Sequence, residues 1–196
     1  DSSDARHALR RTVVPVTAEY RKAPEESGDP LGEEHCSPVP GIVHRYPDRV
    51  LFLVTDFCSV CCRYCTRSRI VGDNDIDSSR KNNWKAAIDY LKKTPQVRDV
   101  LISGGDPLTL SDHLLDWLLG ELRSIPHIEV IRIGTKAPVV LPQRFTDSFL
   151  SMLRSHHPLW MSIRFISIAG KTHKIVANLP LDDKFIHQLT DRQIAV

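Results

Sequence analysis

No apolar run in this sequence is longer than Val50 to Val54, far short of the roughly 20 residues that cross a bilayer as a helix. The first residues are polar and charged, without the basic start and apolar stretch of a secretory signal. Charge of one sign is equally scarce. The 26 lysines and arginines stand against 24 aspartates and glutamates, a formal net charge of +2. That is too little for bulk electrostatics to recruit nucleic acid or a membrane surface. Internal repeats and low-complexity stretches are missing as well. The 5 cysteines do not make a disulfide framework: their number is odd, and four crowd between Cys58 and Cys65, too close to pair without strain. No cysteine follows Cys65, so the second C-x2-C pair that a structural zinc site wants is lacking too. These absences leave a cytoplasmic chain in a reducing compartment as the expectation.

What is present has the balance of a globular protein. The chain has 196 residues, 41% of them hydrophobic and 26% charged, enough for one sizeable core and one domain by default. Residues 1–41 are rich in Asp, Glu, Arg and Pro and read as an extended or partly helical lead-in that wraps a core. A strand–helix rhythm follows. The run Arg49 to Thr55 predicts a parallel strand covered on both faces. Ser79 to Lys93 predicts a helix, with Trp84, Ile88 and Leu91 on one stripe and Pro95 just beyond. Asp99 to Ser103 predicts a second strand. Ser111 is placed to cap a helix carrying Leu114, Leu115, Leu118, Leu119 and Leu122. Glu129 to Ile133 predicts a third strand, Thr146 caps a third helix with Phe149, Leu150 and Leu153, and Leu159 to Ile163 predicts a fourth strand. Such alternation implies parallel βαβ units, in an open doubly wound sheet or part of a βα barrel. Ligands then gather at the carboxyl ends of the strands. The loop Cys58 to Cys65 and the turn Gly104-Gly105-Asp106-Pro107 leave adjacent strands at that end.

The chemistry is concentrated in that cysteine loop. Cys58, Cys62 and Cys65 read C-x3-C-x2-C, and Cys58, Cys61 and Cys65 read C-x2-C-x3-C, so either register offers three thiols. Three thiolates on one short loop can each bind a different iron of a cubane cluster and leave the fourth iron open to a small molecule. The plainer alternatives are a structural zinc or buried thiols. Cys36 has no evident partner, and none of the 9 histidines falls into a metal-binding spacing.

The run C-x3-C-x-(aromatic)-C at the end of a first strand resembles the radical S-adenosylmethionine (SAM) superfamily. The resemblance selects Cys62, because Tyr64 then occupies the aromatic position. It implies a partial (βα) barrel of the radical SAM type, truncated after about four βα units, with the core over residues 42–165 and a divergent tail over 166–196. A [4Fe-4S] cluster on Cys58, Cys62 and Cys65 would reduce SAM to a 5′-deoxyadenosyl radical. SAM would be held at Tyr64 and at Ser103, Gly104, Gly105 and Asp106, which look like the superfamily's Gly-Gly-acid turn. The ordinary alternative for that turn is a βα connection whose glycines supply only φ > 0.

A narrower resemblance rests on Ser37 to Gly41, His44 to Val50, Cys65-Thr66-Arg67, Thr94 to Val100 and Pro138 to Arg144. These segments are similar to the lysine 2,3-aminomutase family, over about residues 1 to 165. The resemblance implies an isomerase that moves an amino group between C2 and C3, with pyridoxal phosphate (PLP) as imine carrier. Arg45 and Arg49 would hold the PLP phosphate and Arg67 the substrate carboxylate, roles suited to guanidinium forks. The ordinary fate of such arginines is a solvated surface. Expected partners are an amino acid, lysine first, and an external electron donor such as flavodoxin or ferredoxin. A homo-oligomer is expected of the full-length family, with neither nucleic acid nor membrane among the partners. The PLP lysine has no counterpart in this chain, and Arg164 stands where the family carries histidine. Glutamate, arginine or protein-bound lysine are the alternative substrates, and a non-catalytic iron–sulfur protein or inactive fragment is the alternative of another class.

Overall fold

The computed structural model describes residues 4, 7, 10–21, 23–72, 79–166 and 174–180, with backbone alone at 79–82, 165, 166 and 174–180. Six strands form one sheet: β1 (Ile42–Tyr46), β2 (Arg49–Thr55), β3 (Asp99–Gly104), β4 (Val130–Thr135), β5 (Leu159–Ile166) and β6 (Lys174–Pro180). They lie in sequence order, and β1 and β6 do not meet, so the sheet stays open. Strands β2 to β5 pair in parallel, as the strand–helix rhythm requires. The outer strands β1 and β6 run antiparallel to their neighbours. Three of the helices between them are α1 (Ser79–Lys92), α2 (Asp112–Arg123) and α4 (Asp147–Ser155), and the short α3 (Ala137–Val140) follows β4. Ser111 and Thr146 cap α2 and α4 by accepting from the backbone N–H groups of Leu114 and Phe149, as their residue types favour.

The register stacks apolar residues into rows across the sheet. Val50, Val100, Ile131 and Leu159 are neighbours in one row, and Phe52, Ile102, Ile133 and Met161 in the next. All eight are buried, together with Trp84, Ile88 and Leu91 of α1, Leu115, Leu118, Leu119 and Leu122 of α2, and Phe149, Leu150 and Leu153 of α4. This is the core, and each such side chain contributes about 1.5–3 kcal/mol by leaving water.

The opposite face differs from the expectation of strands covered on both sides. Leu51 and Leu53 are only half-buried, as are Leu101, Ser103, Arg132 and Gly134. The apolar run of β2 suggested burial all round, but helices cover one face only, and the other faces the space a closed barrel would enclose. Strand β1 was also unexpected, because Pro40, Gly41 and Pro47 frame a segment too short to display a period. Of the tail expected over 166–196, Ile166 closes β5 and Lys174–Pro180 form β6, and the rest lies outside the described residues.

Candidate functional site

The cysteine loop leaves the carboxyl end of β2 and is closed at its base, where Gly72 N–H donates to the Asp56 carbonyl (2.9 Å). Trp84 of α1 anchors its approach by donating Nε1–H to the Val54 carbonyl (3.2 Å). The exit of β3 is pressed against the start of the loop. Gly105 N–H donates to the Thr55 carbonyl (2.5 Å) and Asp106 N–H to the Phe57 carbonyl (2.8 Å). The two glycines are what permit this approach. A Cβ on Gly104, whose φ is +123°, would lie 2.2 Å from the Thr55 carbonyl oxygen, and one on Gly105 would lie 2.2 Å from that of Phe57. Only glycine tolerates both that φ and that contact. The cysteine loop and the Gly-Gly-Asp turn therefore meet side by side, as the strand order predicted.

Together they line a cavity of about 550 Å³, within the ~300–1,000 Å³ range of ligand sites. Cys58, Cys61, Cys62, Cys65, Arg67, Ser103, Gly104, Gly105 and Asp106 all border it, and the half-open face of the sheet supplies its floor through Leu51, Leu101, Arg132, Ser162 and Arg164. Cys58, Cys62 and Cys65 are half-buried, whereas Cys61 is exposed. Cys65 N–H donates to the Cys62 carbonyl (3.1 Å), a tight turn that brings those two residues together. Burial, with the Asp106 carboxylate next in effect, pushes the Cys58 thiol up to about 12. Tyr64 is likewise raised, by burial first and then by its hydrogen bond to Cys62. Cys36 lies in the lead-in and does not border the cavity.

No three His, Cys, Asp or Glu side chains among the described residues are arranged around a single ion. A cubane does not need such convergence, since each thiolate takes a different iron. The half-buried thiols opening on one cavity fit a cluster and an adjoining ligand.

Asp106 is 5% exposed and fully engaged. Its Oδ1 accepts from Leu108 N–H (3.1 Å) and Thr135 Oγ1 (2.6 Å), and its Oδ2 from Lys136 N–H (2.9 Å). The carboxylate thus ties the end of β3 to the end of β4. Arg67 borders the cavity with one edge of its guanidinium taken: Nε and Nη2 donate to Glu33 at 2.6–3.0 Å. Glu33 is 7% exposed. The sequence drew no attention to it, although a buried glutamate requires a cationic partner. Its lead-in neighbours act similarly, since Arg69 pairs with Asp29 (3.0 Å) and Glu34 (3.1 Å). Arg63 of the loop pairs with Glu19 (2.6 Å). The lead-in wraps the cysteine loop through these ion pairs.

Arg45 and Arg49 are not brought to this cavity. Both are exposed, and Arg49 begins β2, at the end of the strand away from the cysteine loop. Its Nε donates to Asp48 Oδ1 (3.2 Å) and its guanidinium lies over the Tyr46 ring. No helix among the described residues is long and apolar enough to cross a membrane.

Comparison with known proteins agrees with the cysteine motif. Residues 52–183 match the family model described as the radical SAM superfamily. L-lysine 2,3-aminomutase of Clostridium subterminale is 50% identical over 165 residues, covering 84% of this chain and 39% of that protein. The enzyme of the same name from Bacillus subtilis is 52% identical over 176 residues, 90% of this chain and 37% of its own length. Glutamate 2,3-aminomutase of Clostridioides difficile is 39% identical over 165 residues, 84% of this chain and 39% of its own. The chain spans about two fifths of the length of the curated relatives it matches.

Proposed function

This chain belongs to the radical SAM superfamily, and from that membership we propose that it forms the cluster- and SAM-binding part of a lysine 2,3-aminomutase. The observation that carries the reading is the set of half-buried thiols, Cys58, Cys62 and Cys65, opening on one cavity beside the Gly-Gly-Asp turn. Lysine is favoured over glutamate because the lysine enzymes quoted are 50% and 52% identical and the glutamate enzyme 39%. The proposed core is 42–165, preceded by the 1–41 lead-in.

The cluster and SAM together would supply a carbon-centred radical in that cavity. The residues of this chain supply position. Cys58, Cys62 and Cys65 would hold the cluster as thiolates, with Cys61 left as an exposed neighbour. Ser103, Gly104 and Gly105 offer backbone and hydroxyl groups to SAM along one wall, with Tyr64 near Cys62. Asp106 keeps that wall in register with β4 through its three hydrogen bonds. Arg67 holds an amino-acid carboxylate with the edge turned away from Glu33: Glu33 occupies Nε and Nη2, and Nη1 makes no bond to Glu33. An external one-electron donor and PLP are proposed from the family resemblance alone. Arg45 and Arg49 remain the PLP-phosphate candidates on that ground, and no step is assigned to them.

Anaerobic reconstitution of single-cysteine variants tests the assignment. Cys58→Ala, Cys62→Ala and Cys65→Ala should each lose most of the bound iron, and Cys61→Ala should keep it. Retention in Cys62→Ala with loss in Cys61→Ala would overturn the register.

A further inference from the structure

Lys136 reaches the cysteine loop from just past the end of β4, two strands away from β2, and neither the cysteine motif nor the aminomutase likeness accounts for it. Its Nζ lies 3.4 Å from Cys62 Sγ and 3.4 Å from the Tyr64 hydroxyl. The same ammonium is 5.7 Å from the centre of the Tyr64 ring, within cation–π range. Two side chains of the loop therefore hold one cation beside one particular sulfur.

The backbone that delivers Lys136 is fixed from the other direction. Lys136 N–H donates to Asp106 Oδ2 (2.9 Å), Thr135 Oγ1 to Asp106 Oδ1 (2.6 Å), and Ala137 N–H to Thr135 Oγ1 (2.9 Å). Asp106 and Thr135 are buried, so these bonds are sheltered from competing water. The acidic residue of the Gly-Gly-Asp turn is thereby a bracket whose product is the placement of Lys136. Asp106 touches the backbone of Lys136, and Lys136 touches the loop.

An ammonium has three donors and no acceptor, so toward a thiolate it can only donate. Hydrogen bonds to the sulfurs and local charge set the potential of an iron–sulfur centre. A cation at a ligand sulfur stabilises the form with one more negative charge. In the reduction step one electron passes from a low-potential one-electron donor to the cluster, and no bond is made or broken.

We propose that Lys136 is a positioning residue that raises the reduction potential of the cluster through its contact with Cys62, and that Asp106 aims it. This rests on the functional reading above, since it requires a cluster on Cys58, Cys62 and Cys65. The test is a reductive titration of the anaerobically reconstituted protein, followed by EPR with redox mediators, on the parent, Lys136→Met and Lys136→Arg. Lys136→Met should be harder to reduce. At fixed poise its reduced-to-oxidised ratio should fall about tenfold, a shift of ~59 mV for one electron. Lys136→Arg should stay near the parent because it keeps the charge. A parent-like iron content in both variants shows that the fold is intact.

Titration of iron-loaded Lys136→Met within twofold of the parent overturns the inference and leaves the functional reading standing. A parent that binds no iron overturns both. If Lys136→Met fails to load, the parent decides: with ¹⁵N-labelled lysine, pulsed EPR should detect one nitrogen coupled to the reduced cluster, and its absence overturns the inference.

Discussion

The two faces of the sheet are built from alternate residues of the same strands and have opposite fates. On the helix side, Val50, Phe52, Val100, Ile102, Ile131, Ile133, Leu159 and Met161 are 0–3% exposed. On the cavity side, one residue along in each strand, stand Leu51, Leu101, Arg132 and Trp160, all partly open. The side-chain period of two separates stability from function within a few ångströms. The helix side is uniformly apolar because its task is to exclude water. The cavity side holds the Arg132–Asp99 pair (2.5 Å), Ser103, Ser162 and Arg164, polar groups that face the open space of the cavity.

The contrast is broken most directly by trimming one residue on each face. Ile102→Ala leaves a hole under the helices and should cost about 2–5 kcal/mol, whereas Leu101→Ala should cost under about 1 kcal/mol because water already reaches it. Urea denaturation of the two variants reads the difference, and equal losses would refute the division of faces. Glycine gives a second pairing. Gly105→Ala drives a Cβ into the Phe57 carbonyl at 2.2 Å, whereas at Gly134 the nearest atoms are 3.5 Å away. Gly105→Ala should cost about 1–3 kcal/mol and weaken iron loading, and Gly134→Ala should do neither, as thermal melts and iron content would show.

A smaller effect concerns the lead-in. Glu33→Gln removes the charge facing Arg67 and should cost about 1.5 kcal/mol, seen as faster proteolysis ahead of residue 41 while the core resists. The weakest expected effect is one of pH. Asp29 is held below its usual value of 3.8, chiefly by accepting from Glu34 N–H. A lowered carboxylate stabilises the fold above its unfolded value and loses that contribution as pH falls through the folded one. Hydrogen exchange over residues 29–36 should therefore speed up below pH 3.8 relative to the rate trend at Arg132, and an unchanged ratio would contradict it.

Much of this was legible in the sequence, for a physical reason. Strands β2 to β5 and helices α1, α2 and α4 announce themselves because each repeats its period long enough to be read, and Ser111 and Thr146 act as the caps their types suggest. The three cysteines share one loop, so sequence alone puts them together. Strand β1 escaped because it is five residues between prolines, and α3 because it is four residues with Pro138 in its first turn. The half-open face was legible only through the partial barrel that the resemblance implies, because the run of β2, with Leu51 and Leu53, reads by itself as covered on both faces. Glu33 and Lys136 escaped because they lie 34 positions before Arg67 and 74 after Cys62, and no local pattern encodes contacts between residues so far apart. Arg45 and Arg49 share the entry to the first parallel strand in sequence, yet the fold leaves them outside the cavity.

The central claim is an iron corner with no protein ligand, and EPR of the reduced, reconstituted protein with and without SAM reads it directly. The account predicts one cluster per chain whose spectrum changes on adding SAM. A spectrum that SAM leaves untouched would mean a centre fully ligated by protein and would contradict it.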